Sequence, residues 1–305
     1  MRTEGSFAGR RWLELALDYR CNLRCLGCHA CHDRGERLRS SDALAMMKAA
    51  RAAGVLGLWF GGGEPTLRED LLSLVREART HGFAEVAVQT NGLRLAYRPY
   101  REALLAAGAT EIRLNVKSHR PEVHDRLSGG EPCHALLLEA LGGLAGGPAR
   151  VSADVLVTRS TSHDLPETVA FLAKRGVERV ALWLLSAADA SDPAVLAEVP
   201  RIADIVQPLA ESRTAARALG VELSTLHTPP CTLPEDLRDI YVPSASLGLV
   251  VVDPGARPFA LEASPFEGNA YTPGCAQCSA RSRCGGPRAD YIAIHGASDF
   301  APLRS

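Results

Sequence analysis

Three cysteines, Cys21, Cys25 and Cys28, stand at C-x3-C-x2-C spacing near the start of the 305-residue chain. Three thiolates so spaced can hold three corners of a cubane iron–sulfur cluster and leave its fourth iron open for chemistry. A structural zinc site closes with four protein ligands, usually as two C-x2-C pairs, and the neighbouring His29, Cys31 and His32 keep zinc open as an alternative. Extra ligands or proton donors are the functional reading of these three; in a loop crowded by a metal, its surroundings or solvated side chains are the favoured one. A second group, Cys275, Cys278 and Cys284 at C-x2-C-x5-C, lies near the C-terminus, with Cys231 upstream in Pro229-Pro230-Cys231. Four thiols would close a second metal site. Cys133, between Pro132 and His134 at the start of a helix, reads as packing.

The elements that must position these thiols follow one alternation. Trp12 to Asp18 is a first strand that delivers the chain into the cysteine loop, and Ser40 to Gly54 is a helix with a Ser-Ser-Asp start and a glycine stop. Val55 to Phe60 is a fully apolar strand of the kind a parallel sheet buries on both faces, ending at Gly61-Gly62-Gly63-Glu64-Pro65. Helices over Leu67 to Gly82, Tyr97 to Gly108, Ala135 to Gly142 and Leu165 to Gly176 alternate with strands at Ala84 to Gln89, Glu111 to Val116, Val151 to Thr158 and Arg179 to Leu185. A sixth helix runs from Pro200 to Gly220.

Six strand–helix units predict an α/β fold, a partial (βα)6 barrel of the TIM type or an open parallel sheet. Chemistry in such folds sits at the carboxyl ends of the strands, where the polar signatures of this chain also fall. After Gly220, ten prolines break every long period, with short strands only at Val221 to Leu226 and Leu247 to Val252. The expected division is an N-terminal segment at 1–11, the barrel at 12–220 and a small C-terminal iron–sulfur module at 221–305.

A formal charge of −1 with both signs mixed along the chain gives no basic footprint for nucleic acid, so small or peptide partners are favoured. No apolar run approaches a membrane span, and Met1 to Arg11 lacks a signal-peptide core. With nine cysteines, six of them in two compact groups, the thiols read as metal ligands in a reducing, cytoplasmic compartment.

Taken together, the Cys21-x3-Cys25-x2-Cys28 loop after strand one, Gly62-Gly63-Glu64-Pro65 after strand two and Thr90-Asn91-Gly92 after strand three resemble the radical S-adenosylmethionine superfamily, in register from about Trp12 to Gly220. The resemblance implies that Cys21, Cys25 and Cys28 ligate a [4Fe-4S] cluster whose fourth iron binds S-adenosylmethionine. Reduction by a low-potential electron donor such as flavodoxin or ferredoxin then yields a 5′-deoxyadenosyl radical that abstracts hydrogen from a substrate. By the family pattern Gly62 to Pro65 bind the methionine amino group, with Thr90 and Asn91 beside them. Asn115, Lys117 and Ser118, and Thr158 and Arg159, match regions contacting the ribose and the methionyl carboxylate. Gly27 stands where the family commonly carries an aromatic residue packed near adenine.

The C-terminal module looks like the SPASM and shorter twitch extensions of this superfamily. The usual fourth cysteine is absent from Gly285 to Asp290, so the resemblance implies one auxiliary [4Fe-4S] cluster on Cys231, Cys275, Cys278 and Cys284. Cys231 as ligand closes that cluster; otherwise either the cluster binds substrate at an open iron, or Cys231 is a free thiol that returns a hydrogen atom to a substrate radical. The leading expectation is radical modification of a peptide. No recognisable leader-binding domain precedes Trp12, so a peptide would be read by the barrel mouth or a separate protein. Small-molecule dehydrogenation or other natural-product tailoring is the alternative, and a non-catalytic iron–sulfur redox or scaffold protein is the alternative of another class.

Overall fold

The computed structural model describes residues 4–28, 35–187, 192–264 and 266–304. His29, Cys31 and His32 lie outside the described residues.

Among the described residues nine strands form, β1 (Trp12–Ala16), β2 (Gly57–Gly61), β3 (Glu85–Thr90), β4 (Glu111–Val116), β5 (Arg150–Val157), β6 (Arg179–Leu184), β7 (Glu222–Leu226), β8 (Leu249–Val252) and β9 (Pro258–Ala260). They make one open sheet in the order β7-β6-β5-β4-β3-β2-β1-β8-β9. Every pairing is parallel except β8 with β9. The α/β expectation holds, with a sheet that does not close.

The expected boundary at residue 220 falls inside this sheet. β7 extends one edge beside β6, and β8 pairs with β1 through Trp12↔Leu249 to Leu15↔Val252. The prolines after Gly220 interrupt helices but leave the apolar Leu-Val-Val-Val run free to pair, which is why the second region supplies strands to the first.

A short α1 (Glu4–Phe7) precedes β1, and the other helices are α2 (Ser40–Ala52), α3 (Leu71–Thr80), α4 (Arg98–Ala107), α5 (Pro121–Ser128), α6 (Cys133–Leu144), α7 (Leu165–Ala173), α8 (Pro193–Glu198), α9 (Ile202–Leu219) and α10 (Ala289–His295). In α2 the buried Ala43, Met46, Met47 and Ala50 recur at helical spacing. Its cap differs from expectation: Arg39 is the N-cap without a side-chain bond, and Ser40 donates instead to Asp70 at 2.6 Å. The helix expected from Leu67 is a 3₁₀ turn at Pro65–Leu67 followed by α3, because Arg68 turns inward to reach the carbonyls of Leu38 (2.9 Å) and Leu17 (3.3 Å). The helix α5 has no counterpart in the sequence reading.

Strand alternation divides the sheet into two faces. Leu13, Leu15, Leu58, Phe60, Val86, Val88, Ile112 and Leu114 join the core under the helices. The opposite parity, Glu14, Trp59, Gln89, Arg113, Asp154 and Trp183, faces the concave side, where it lines cavities.

Candidate functional site

The loop after β1 carries Cys21, Cys25 and Cys28, all partly exposed. It is pinned to the end of α5 by Arg24 N–H to Ser128 O at 3.3 Å and Leu26 N–H to Leu127 O at 3.0 Å. Burial, followed by the nearby Glu64 and the other two thiols, pushes Cys21 up to about 11. Such a thiol sheds its proton when a metal takes the sulfur.

The Gly62–Pro65 turn lies directly across this loop. Gly63 N–H donates to Asp18 O at 2.7 Å and Glu64 N–H to Arg20 O at 2.8 Å. Gly62 has φ +108°, and a Cβ there would stand 2.5 Å from Asp18 O; a Cβ on Gly63 would run into the Arg20 carbonyl. The glycines therefore let the turn pack against the segment that enters Cys21.

Glu64, only 1 % exposed, has a tethering role that the sequence reading lacked. Its Oε1 accepts from Thr66 N–H (3.0 Å), Thr66 Oγ1 (2.6 Å) and Thr90 Oγ1 (2.7 Å), and its Oε2 accepts from Asn91 N–H (2.7 Å). Two strand ends are thereby tied to one carboxylate, and Oε2 keeps one position for an outside donor. Asn91 reaches the cysteine loop itself, donating from Nδ2 to Asn22 Oδ1 at 2.8 Å.

These groups enclose a cavity of about 130 Å³ lined by Cys21, Cys25, Cys28, Gly62, Gly63, Glu64, Thr90, Asn91, Asn115 and Lys117. Pro65 is buried behind the turn and does not line it. Gln89, His124 and Ser128 also line the cavity and were missed in the sequence. Burial, then the neighbouring Lys117 and His134, pushes His124 down to about 3, and its Nδ1 accepts from Lys117 N–H at 3.3 Å.

Three expected residues are placed elsewhere. Ser118 is fully buried, its hydroxyl accepting from Arg120 N–H at 3.1 Å at the start of α5. Thr158 is fully buried in a turn, its N–H donating to Thr161 Oγ1 at 3.0 Å. Arg159 is exposed, with its N–H on the Glu198 carbonyl at 2.8 Å. Each polar strand end is spent on starting the next turn, so none lines either cavity.

Beyond the cysteine loop, the concave face holds a cavity of about 340 Å³ that shares Cys28, Gln89, Asn115 and Lys117 with the smaller one. Its walls include Trp59, Trp183 and several leucines, with Glu14, Asp154, His227 and Glu267 as the acidic and titratable members. Asp154 accepts from Gln89 Nε2 (2.8 Å), Arg113 Nη2 (2.9 Å) and Trp183 Nε1 (3.2 Å). Lys117 donates to Asn115 Oδ1. At Gly27, the side of the backbone where a side chain would point is filled by Leu185 Cδ1, 2.7 Å from a would-be Cβ, and by Val195.

The second cysteine set converges as well. Cys231, Cys275, Cys278 and Cys284 line one small cavity with Pro229, Tyr271 and Phe300. Burial and then the other three thiols push Cys231 up to about 12. Three of the sulfurs meet donors or hydroxyls: Cys284 from Gly286 N–H at 3.3 Å, Cys278 from Leu303 N–H at 3.4 Å, and Cys275 against Thr272 Oγ1 at 3.4 Å. Among the described residues, no three His, Cys, Asp or Glu side chains converge on a position for a single metal ion. Cys133 is buried at the start of α6, as expected of packing.

Residues 18–145 match the family model of the Radical SAM superfamily. The chain carries a radical SAM domain. Curated relatives of this domain include a probable GTP 3′,8-cyclase of Saccharolobus islandicus (strain M.14.25 / Kamchatka #1), 26% identical over 56% of this chain and 55% of that protein. Another probable GTP 3′,8-cyclase, from Thermococcus kodakarensis, is 30% identical over 41% of each chain. The match thus spans about half the length of these relatives or less. Among solved structures, Streptococcus suis SuiB bound to S-adenosylmethionine superposes with a TM-score of 0.71 at 15% identity, covering 97% of this chain and 76% of that one. The anSMEcpe structure with bound AdoMet gives 0.63 at 15% identity, covering 96% and 88%. At these identities the likeness is one of fold: radical SAM structures share the parallel sheet described above.

Proposed function

We propose that this protein is a radical SAM enzyme that takes hydrogen from a substrate held in the concave cavity. The observation that carries this reading is the shared wall of Cys28, Gln89, Asn115 and Lys117, which joins the cysteine-lined cavity to the larger one. The three loop thiols, held by α5 and by the glycine turn, suit a [4Fe-4S] cluster with an open corner, and the adjoining 130 Å³ space suits the methionyl part of S-adenosylmethionine. When bound, this pair supplies a 5′-deoxyadenosyl radical on one-electron reduction by a low-potential donor such as flavodoxin or ferredoxin.

The chain's own residues do the rest. Glu64 holds the β2 and β3 ends together and offers Oε2 to an ammonium. Lys117, oriented by Asn115, places a cation between the two cavities, where a carboxylate can be received. The leucines and Trp59 and Trp183 keep water from the reacting centre. Cys231, Cys275, Cys278 and Cys284 hold one auxiliary [4Fe-4S] cluster, which with Cys231 as ligand is closed and suited to electron transfer.

A peptide substrate is the first reading, supported by the fold shared with SuiB, which has been solved with its precursor peptide SuiA at a TM-score of 0.65 and 16% identity. Chemistry on a small molecule is the second, favoured by the relatives named as GTP 3′,8-cyclases. No helix among the described residues is long and apolar enough to cross a membrane, and thiol-rich metal sites suit the reducing cytoplasm. The test is anaerobic reconstitution followed by S-adenosylmethionine and dithionite. Formation of 5′-deoxyadenosine is expected; a fully loaded protein that forms none is a scaffold rather than an enzyme.

A further inference from the structure

On the inward parity of β1, opposite Trp59 of β2 and Val251 of β8, stands Glu14. It lines the 340 Å³ cavity and, among the described residues, its carboxyl group has no hydrogen-bond partner. Every other charged side chain of that wall is engaged. Asp154 has three donors; Glu267 Oε2 lies 3.2 Å from His227 Nε2; Lys117 is committed to Asn115. Arg113, the cation nearest in charge effect, is directed to Asp154 and Glu111 and stacks over Trp59 at 4.2 Å.

We propose that the Glu14 carboxylate anchors a primary ammonium group of the substrate inside the concave cavity. The inference rests on the reading of that cavity as the substrate site. An apolar or anionic ligand would leave the Glu14 carboxylate enclosed without a donor, and a hydroxyl would offer it only a single uncharged one. An ammonium brings three N–H donors and a compact charge. Trp59 and Trp183 line the same space, and the leucines suit an alkyl stem. Burial, reinforced by Glu267 and Asp154 against the opposing Arg113, raises Glu14 to about 7, so an incoming cation would complete an environment that lacks one. The cavity lies at the small end of ligand pockets, which fits the end of one lysine-like side chain or one small amine rather than a larger molecule.

The experiment uses the reconstituted, S-adenosylmethionine-bound protein under anaerobic conditions and two probe pairs. One pair is n-pentylamine and 1-pentanol; the other is N-acetyl-lysine amide and N-acetyl-norleucine amide. Calorimetric titration is expected to show each binding amine at least about tenfold tighter than its neutral partner, as befits one charge-assisted contact. Glu14→Gln should bring the ratio to about one, and Glu14→Asp should retain part of it, with circular dichroism and iron content reporting the fold. Binding of the lysine amide alone would assign the group to a peptide side chain; binding of pentylamine as well would admit free amines. Equal affinities within both pairs, no binding of any probe, or a preference that survives in Glu14→Gln overturns the proposal. Because binding is read without turnover, a failure to form 5′-deoxyadenosine would count against the radical reading and leave this measurement intact.

Discussion

Arg288 Nη1 lies 3.2 Å from His227 Nδ1, where the segment after Cys284 reaches the wall of the concave cavity. A guanidinium only donates, so Nδ1 accepts and Nε2 carries the proton toward Glu267. Burial pushes His227 below its ordinary value and keeps it neutral. The same Arg288 donates to the carbonyls of Leu184 and Leu185 at 2.7 Å each and to both oxygens of Asp290 at 2.9 Å, fastening the cysteine segment to the end of β6.

Replacing Arg288 by Leu therefore takes the donor from two carbonyls and from Asp290 Oδ1, and leaves Asp290 Oδ2 with only Ala187 N–H and the Ser186 hydroxyl in place of its cation. Such a loss in a buried ion pair costs about 3–5 kcal/mol. Denaturant titration should show that drop, and the variant should lose iron from the second site before the first.

The reconstituted protein should hold about eight irons, two clusters of four. A Cys21, Cys25 and Cys28 triple Ala variant should keep about half of them, read by iron and sulfide assay. Four irons in the unaltered protein would remove the auxiliary site. Cys231→Ala tests the remaining assignment: loss of the second cluster makes it a ligand, whereas an intact cluster with loss of solvent deuterium in the product makes it the hydrogen donor.

Gly63→Ala drives a methyl group into the Arg20 carbonyl, one residue before Cys21. The expected result is iron loss from the first site with the second retained, measured by Mössbauer or EPR spectroscopy. Unchanged occupancy of the first site would show that the turn and the loop can separate without consequence.

Glu14 gives a pH signature with a definite sign. Its folded value near 7 lies above the ordinary 4.5, so the native state holds the extra proton between them. The stabilisation is complete below about 4.5 and is lost as pH rises through 7. Between pH 5 and 8 the wild type should lose up to about 3 kcal/mol relative to Glu14→Gln, since one pKa unit is about 1.4 kcal/mol. Parallel stability curves for the two proteins would contradict this.

The strands and their order of chemistry were legible because apolar runs of the right length ended in polar signatures, as at Phe60 and Gly61 to Pro65. The Cys21, Cys25 and Cys28 loop and the Cys275, Cys278 and Cys284 group were legible from spacing, whereas Cys231 joined the second group only through the family resemblance. What escaped were interactions set by distance along the chain. Glu64 receives Thr90 and Asn91 from the next strand, and Arg288 reaches across to Leu184; no local pattern reports either. Ser118, Thr158 and Arg159 misled because a polar strand end can open a turn as readily as face a ligand. Glu14 carries a signal of its own: it is the lone acid on the inward parity of an otherwise apolar strand.

The pairing of β8 with β1 also orders the protein's birth. The strand that leads into the first cysteine loop is synthesised long before its second neighbour, at residues 249–252. Until then β1 is an open sheet edge, the kind that recruits foreign strands. A metal reaching the first cysteine loop before residues 249–252 are made would meet a sheet whose β1 edge is still open.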